Sequence, residues 1–226
     1  EYLLAGNATV PPDLGIFLEA TRRMHPDVCR FVSDAVYEGR LGTIPETARH
    51  RVLLGADTSL VPAESGIAWV PVEHDGCAQS SDEECEKIVA IVEELLRRRV
   101  VDRHGVERPM TVADILVVAP FNLQVRCLRE QLDPGIRIGS VDKFQGREAP
   151  VVIVSLCSST LEESPRGAAF LLNPNRLNVA VSRAEALAIV VGCPELMDVR
   201  CKSVEEMRLV NLLCHLVQYA EEASPV

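Results

Sequence analysis

The sequence has no glycine-rich phosphate loop: neither Gly-x-x-x-x-Gly-Lys-Ser/Thr nor Gly-x-Gly-x-x-Gly occurs in its 226 residues, and His-Glu-x-x-His is absent too. No acidic Asp-Glu pair follows an apolar strand to hold a metal. The lack of a Gly-rich turn after the first strand argues against a free-standing small-molecule enzyme of the doubly wound type. None of the eight cysteines forms a Cys-x-x-Cys pair and no histidine lies at finger spacing, which argues against zinc. Cys157 and Cys193, each behind an apolar run, read instead as small buried hydrophobes of a cytoplasmic protein in a reducing compartment. No run approaches the roughly 18 apolar residues of a membrane span, so no membrane partner is expected. Neither an initiator Met nor a signal peptide precedes Glu1-Tyr2-Leu3-Leu4, and the chain reads as part of something longer. Positive charge is also short. Lys and Arg number 23 against 33 Asp and Glu, a net charge of −10, so binding nucleic acid would need a local patch or a basic partner domain.

What is present is an ordinary globular composition, 47% hydrophobic and 25% charged, enough for a proper core. Apolar runs at 67–72, 114–119, 136–141, 151–156 and 186–192 read as five strands, most of them apolar on both faces. Helical periods separate them at 81–99, 122–132 and 174–184, and a last helix runs from the Ser203 cap to about Tyr219. Ser81-Asp-Glu-Glu84 reads as a capping box. Strands buried on both sides and alternating with helices predict an α/β fold, a mostly parallel sheet with helices on both faces. The first 66 residues differ: a turn at 11–14, a helix at 26–37 and an extended connection over 43–62. They read as a lead-in packed on the same domain, with a core at 67–200 and a C-terminal helix at 201–226. The loop 158–172, with Glu162, Glu163, Pro165 and Gly167 expected at its surface, is long enough to suggest a functional role.

Four polar blocks interrupt this pattern. Ser140-Val-Asp-Lys-Phe-Gln-Gly-Arg-Glu148 lies between two strands; Gly146 would admit close backbone approach, Glu148 a ribose hydroxyl, and Ser140 or Lys143 a phosphate. The alternative is a solvated connection with an Arg–Glu pair. Asn175-Arg-Leu-Asn-Val-Ala-Val-Ser-Arg-Ala184 would project Arg183 from a helix toward a phosphoryl group, or pair it with a carboxylate such as Glu185. Glu19-Ala-Thr-Arg-Arg-Met-His-Pro26 offers Arg22 and Arg23, either aimed at phosphate or simply exposed, with Pro26 suited to a first helical turn. Val117-Val-Ala-Pro-Phe-Asn-Leu-Gln124 ends a strand in Phe121, a stacking platform or a core residue.

Together, in this order, the four blocks resemble the motifs of the second RecA-like domain of superfamily 1 helicases, in the Upf-like branch and its bacterial relatives, some fused to a RecB-type nuclease. The resemblance implies a P-loop NTPase-type fold and a motor that hydrolyses ATP with Mg²⁺, both held mainly by a first RecA-like domain of the same polypeptide. It assigns Arg23 and Arg183 to the γ-phosphate, and Arg22, Gln145, Gly146 and Glu148 to the nucleotide. Gln145 would couple the nucleotide to the strand site. Pro120, Phe121, Asn122 and Ser140 fall to a track for single-stranded DNA or RNA. The family usually has Tyr or Trp where this chain has Arg22; a guanidinium plane can stack there, with weak preference between adenine and guanine. The competing expectation is a RecA-like scaffold without catalysis.

Overall fold

The computed structural model describes residues 15–55, 60–144 and 146–223. The turn expected at 11–14 and Gln145 lie outside them. In chain order the elements are β1 (Ala20–Thr21), α1 (Pro26–Val36), β2 (Gly42–Thr43), β3 (Arg51–Leu53), β4 (Gly66–Pro71), α2 (Asp82–Leu96), β5 (Arg99–Val101), β6 (Glu107–Pro109) and β7 (Ile115–Val118). They continue with α3 (Asn122–Gln131), β8 (Arg137–Gly139), β9 (Ala149–Ser155), α4 (Ala168–Leu171), α5 (Pro174–Val181), β10 (Ala184–Gly192) and α6 (Val204–Ala223).

All five expected strands enter one wholly parallel sheet of order β4-β10-β9-β7-β8. Alternation along each strand divides the core in two. Val152 and Val154 of β9 face α1 and α6 with Val28, Phe31, Leu213 and Leu216. Val151 and Ile153 face α2 and α3 with Ile88, Ile91, Leu95, Val125 and Leu128. Helices thus cover both faces of the sheet, consistent with a RecA-like P-loop NTPase domain.

The structure departs from the sequence expectations in several places. Residues 43–62 are not simply extended: a 3₁₀ turn (Pro45–Arg49) leads into β3, which pairs antiparallel with β5, and β5 with β6. This small sheet crosses the boundary drawn at residue 66, and it takes Arg99 from the expected helix end. The third strand stops at Gly139, and Val141–Phe144 forms a 3₁₀ turn because the Phe144 ring folds back over Gly139, where a methyl would sit 3.1 Å from it. Helix α5 ends at Val181, since Ser182 and Arg183 turn the chain into β10. Finally, the loop 158–172 is tucked in, with Ser158, Ser159, Leu161 and Ser164 buried and a short helix, α4, at its end; of the residues expected at the surface, Glu163 and Gly167 are half-buried.

The Ser81 box is half formed. Ser81 Oγ accepts from Glu84 N at 3.1 Å, but the Ser81 N–H goes to Gln124 Oε1 instead of to Glu84. The Glu84 carboxylate, fully buried, accepts from Ser155 Oγ (2.6 Å), Cys157 N (2.9 Å) and His74 Nε2 (3.0 Å). Nδ1 of His74 is hydrogen-bonded with Ser159 Oγ at 2.8 Å, and Ser159 Oγ accepts from Cys77 N at 2.9 Å. Burial of a carboxylate is tolerated only where its lone pairs are filled in this way. All eight cysteines are free, and no described helix is long and apolar enough to cross a membrane.

Candidate functional site

The expected site residues divide between the two edges of the sheet. Glu148 immediately precedes β9 and Arg183 immediately precedes β10, and the two strand starts are tied by Ala149 N donating to Arg183 O at 3.1 Å. They lie at the amino edge, opposite the carboxyl edge where open α/β sheets ordinarily bind ligands. Arg23 reaches them from the lead-in. Its Nε pairs with Glu148 Oε2 at 2.5 Å, and its Nη1 donates to Ser182 O at 3.1 Å. The backbone that carries Arg23 is fixed by His25 N donating to Glu185 O at 2.7 Å and by α1, which opens with Pro26. His25 caps that helix, its Nδ1 accepting from Asp27 N at 3.2 Å.

Arg183 is unlike Arg23. Its Nε is buried with no hydrogen-bond partner among the described residues. Burial, then the neighbouring Arg23 guanidinium, lower its pKa, with Glu148 opposing. Glu185 shows the reverse strain: burial and then the Glu148 charge raise its carboxyl. Arg22, Arg23, His50, Asp102, Arg103, His104, Glu148 and Glu185 line a cleft of about 280 Å³, just short of the roughly 300–1,000 Å³ of a complete small-molecule site. Gly146 lies nearby in sequence, exposed, at φ +78° with open space where a side chain would stand. Its left-handed backbone favours glycine.

His50 is buried, with Nδ1 3.9 Å from Glu185 Oε2. Burial, then His25, depress its pKa below the ordinary 6.5, and burial depresses His25 too. The unfolded chain therefore binds protons that the folded one refuses, so this contribution to stability is full above pH 6.5 and is lost as the pH falls below it. Urea unfolding as a function of pH is expected to show that decline, and His50→Gln to flatten part of it; an unchanged acid limb in the variant would contradict the assignment.

At the carboxyl edge, Pro120, Phe121 and Asn122 follow β7 and Ser140 follows β8. They line one groove with Phe170 and Arg176, among others. Asn122 is exposed, but the Phe121 ring is only 6% exposed and packs 5.3 Å from Phe170. Phe121 therefore sits as core at the back of the groove. The outer aromatic surface is Phe170, with the Arg166 and Arg176 guanidinium carbons 4.6 and 4.3 Å from its ring centre. The sequence reading missed Arg166 and Phe170 because they stand in the long loop and its short helix, where no period marks an inward or outward face. The groove carries two arginines and one carboxylate, Asp142, whose Oδ2 lies 3.5 Å from Nη2 of Arg176.

A family model described as an AAA domain matches residues 7–195. The chain is 35% identical over 179 residues to the DNA-binding protein SMUBP-2 of Mesocricetus auratus, a match covering 75% of this chain and 17% of that protein. It is 30% identical over 210 residues to the DNA polymerase alpha-associated DNA helicase A of Saccharomyces cerevisiae, covering 84% and 29%. Over 192 residues it is 31% identical to a regulator of nonsense transcripts 1 homolog of Arabidopsis thaliana, covering 81% and 15%. The chain thus spans less than a third of the length of these curated relatives.

Proposed function

The chain belongs to the AAA-domain family that forms the C-terminal RecA-like part of Upf-like superfamily 1 helicases, and on that premise we propose that it is the C-terminal motor domain of an ATP-dependent DNA or RNA helicase. The observation that carries the proposal is the convergence of Arg23, Arg183 and Glu148 at one edge, with the buried Nε of Arg183 left without a partner. A guanidinium held in that way suits charge that arrives from outside the domain. A scaffold without catalysis would have no use for it.

In this reading the cleft is half of an ATP site. A first RecA-like domain of the same polypeptide holds ATP and Mg²⁺. When the domains close, Arg183 meets the γ-phosphoryl group, and Arg23 exchanges Glu148 for phosphate oxygens. Glu148 is freed to accept from a ribose hydroxyl. Single-stranded DNA or RNA runs along the opposite edge, past Pro120, Asn122 and Ser140. There Arg166 and Arg176 neutralise phosphates, and Phe170, with Phe121 behind it, offers the apolar surface for bases.

The test is direct. Purified 1–226 is expected to show no ATPase activity with or without single strands, because the phosphate loop is not in this sequence. Robust turnover by 1–226 that survives Arg183→Ala would overturn the proposal.

A further inference from the structure

One wall of the amino-edge cleft comes from none of the four polar blocks. The tip of the β5–β6 hairpin, Asp102-Arg103-His104-Gly105, stands against the segment that carries Arg22 and Arg23. Arg103 Nη1 donates to the Arg22 carbonyl at 3.5 Å, and Arg103 Nε donates to His104 Nε2 at 3.2 Å. A methyl on Gly105 would lie 3.9 Å from Cδ of Arg49, so the tip also rests near the turn before β3.

The tip is held stiff. Asp102 Oδ1 accepts from His104 N (2.8 Å) and Val106 N (2.9 Å), and Asp102 O accepts from Gly105 N (2.9 Å). Below it, Arg108 binds both Asp114 oxygens at 2.6 Å, and Arg99 pairs with Glu107. Its inner strand, β5, buries Val100 and Val101, whereas β6 is exposed at every residue and Arg103, His104 and Gly105 at the tip are exposed too. The anchored strand and the braced turn hold the tip in place against the cleft, to which Arg103 and His104 present two exposed, planar side chains.

Resting on the reading that this cleft takes ATP, we propose that Arg103 and His104 form its base-side wall. They would stack on the nucleobase and supply the flat contact that position 22 lacks. The hairpin tip adjoins residue 22, whereas Arg23 and Arg183 mark the phosphate side. A guanidinium and an imidazole both stack through their faces. Face contacts do not read base edges, so adenine and guanine nucleotides should gain alike.

The test uses the intact protein and steady-state ATPase and GTPase measurements on Arg103→Ala/His104→Ala, with Arg183→Ala alongside. The double variant is expected to raise KM for ATP and for GTP about tenfold, with kcat within about twofold and an unchanged thermal midpoint. His104→Phe, which keeps a flat face, is expected to hold KM near the starting value; a rise as large as that of the double variant overturns the stacking role. If the double variant leaves both KM values within about twofold while Arg183→Ala abolishes turnover, the base wall is wrong and the ATP reading stands. If Arg183→Ala also turns over normally, the underlying reading fails with it. A fall in kcat at constant KM overturns the wall by placing the tip on the phosphoryl side.

Discussion

Arg183→Ala in the intact protein is expected to lower kcat by about 10³–10⁵ while KM for ATP moves far less. Arg183 occupies the turn between α5 and β10, where its carbonyl accepts from Ala149 N and its own N–H donates to Ala180 O at 3.2 Å. The backbone is therefore fixed on both sides. The guanidinium is half-buried, its Nε lacks a partner, and burial and Arg23 act against its charge. An arginine remains ionised even so. Such a group gains most from negative charge that builds in the transition state and has little to give up beforehand, which is why the loss falls on kcat. Arg183→Lys keeps the charge but loses the planar fork, and should recover only part of the rate. The measurement is ATPase turnover at saturating ATP and single strand. A near-normal kcat for the alanine variant would end the proposed role.

The second large effect is on stability. Glu84→Ala is expected to cost about 3–5 kcal/mol, because it strands the Cys157 N–H, Ser155 Oγ and His74 Nε2 in the interior. At about 2–4 °C per kcal/mol for a chain of this size, the thermal midpoint should drop by on the order of 10 °C. Cys157 adds to the loss: at φ +51° it holds a left-handed backbone that a non-glycine residue adopts only when its surroundings insist. The damage should spread to the loop 158–172, since Ser159 is tied to His74, and from there to Arg166 and Phe170. Single-strand affinity should therefore weaken in the folded variant even where nucleotide affinity does not. Thermal unfolding decides the matter: a midpoint shift under about 2 °C would show that the network is dispensable.

The sheet was legible because its strands are long apolar runs. The four polar blocks were legible because each holds unusual residues in a fixed order. What escaped has a common physical cause. Strands β3, β5 and β6 are three residues each, rich in Arg and closed by Pro109, too short for a period of two to show. Glu84 carries the signature of a cap, and only the tertiary structure reveals that His74, Ser155 and Cys157 claim it instead. Phe121 reads equally as platform or core, and its packing against Phe170 depends on a loop whose path no local pattern sets. The separation of Arg183 and Glu148 from Asn122 and Ser140 is topological: each block straddles a strand boundary, but which boundary faces which edge depends on strand direction.

That separation gives the sheet a gear ratio. Strand β9 spans seven residues, about 23 Å of rigid, doubly covered sheet between the arginines and the groove. A turn of about 10° pivoting at the arginine edge would sweep the far edge through roughly 4 Å, comparable to the ~3.4 Å rise per nucleotide of a strand stacked as in duplex DNA. On the proposed reading, a small closure at the arginines is thus geared up at the groove to a step of the order of one stacked nucleotide.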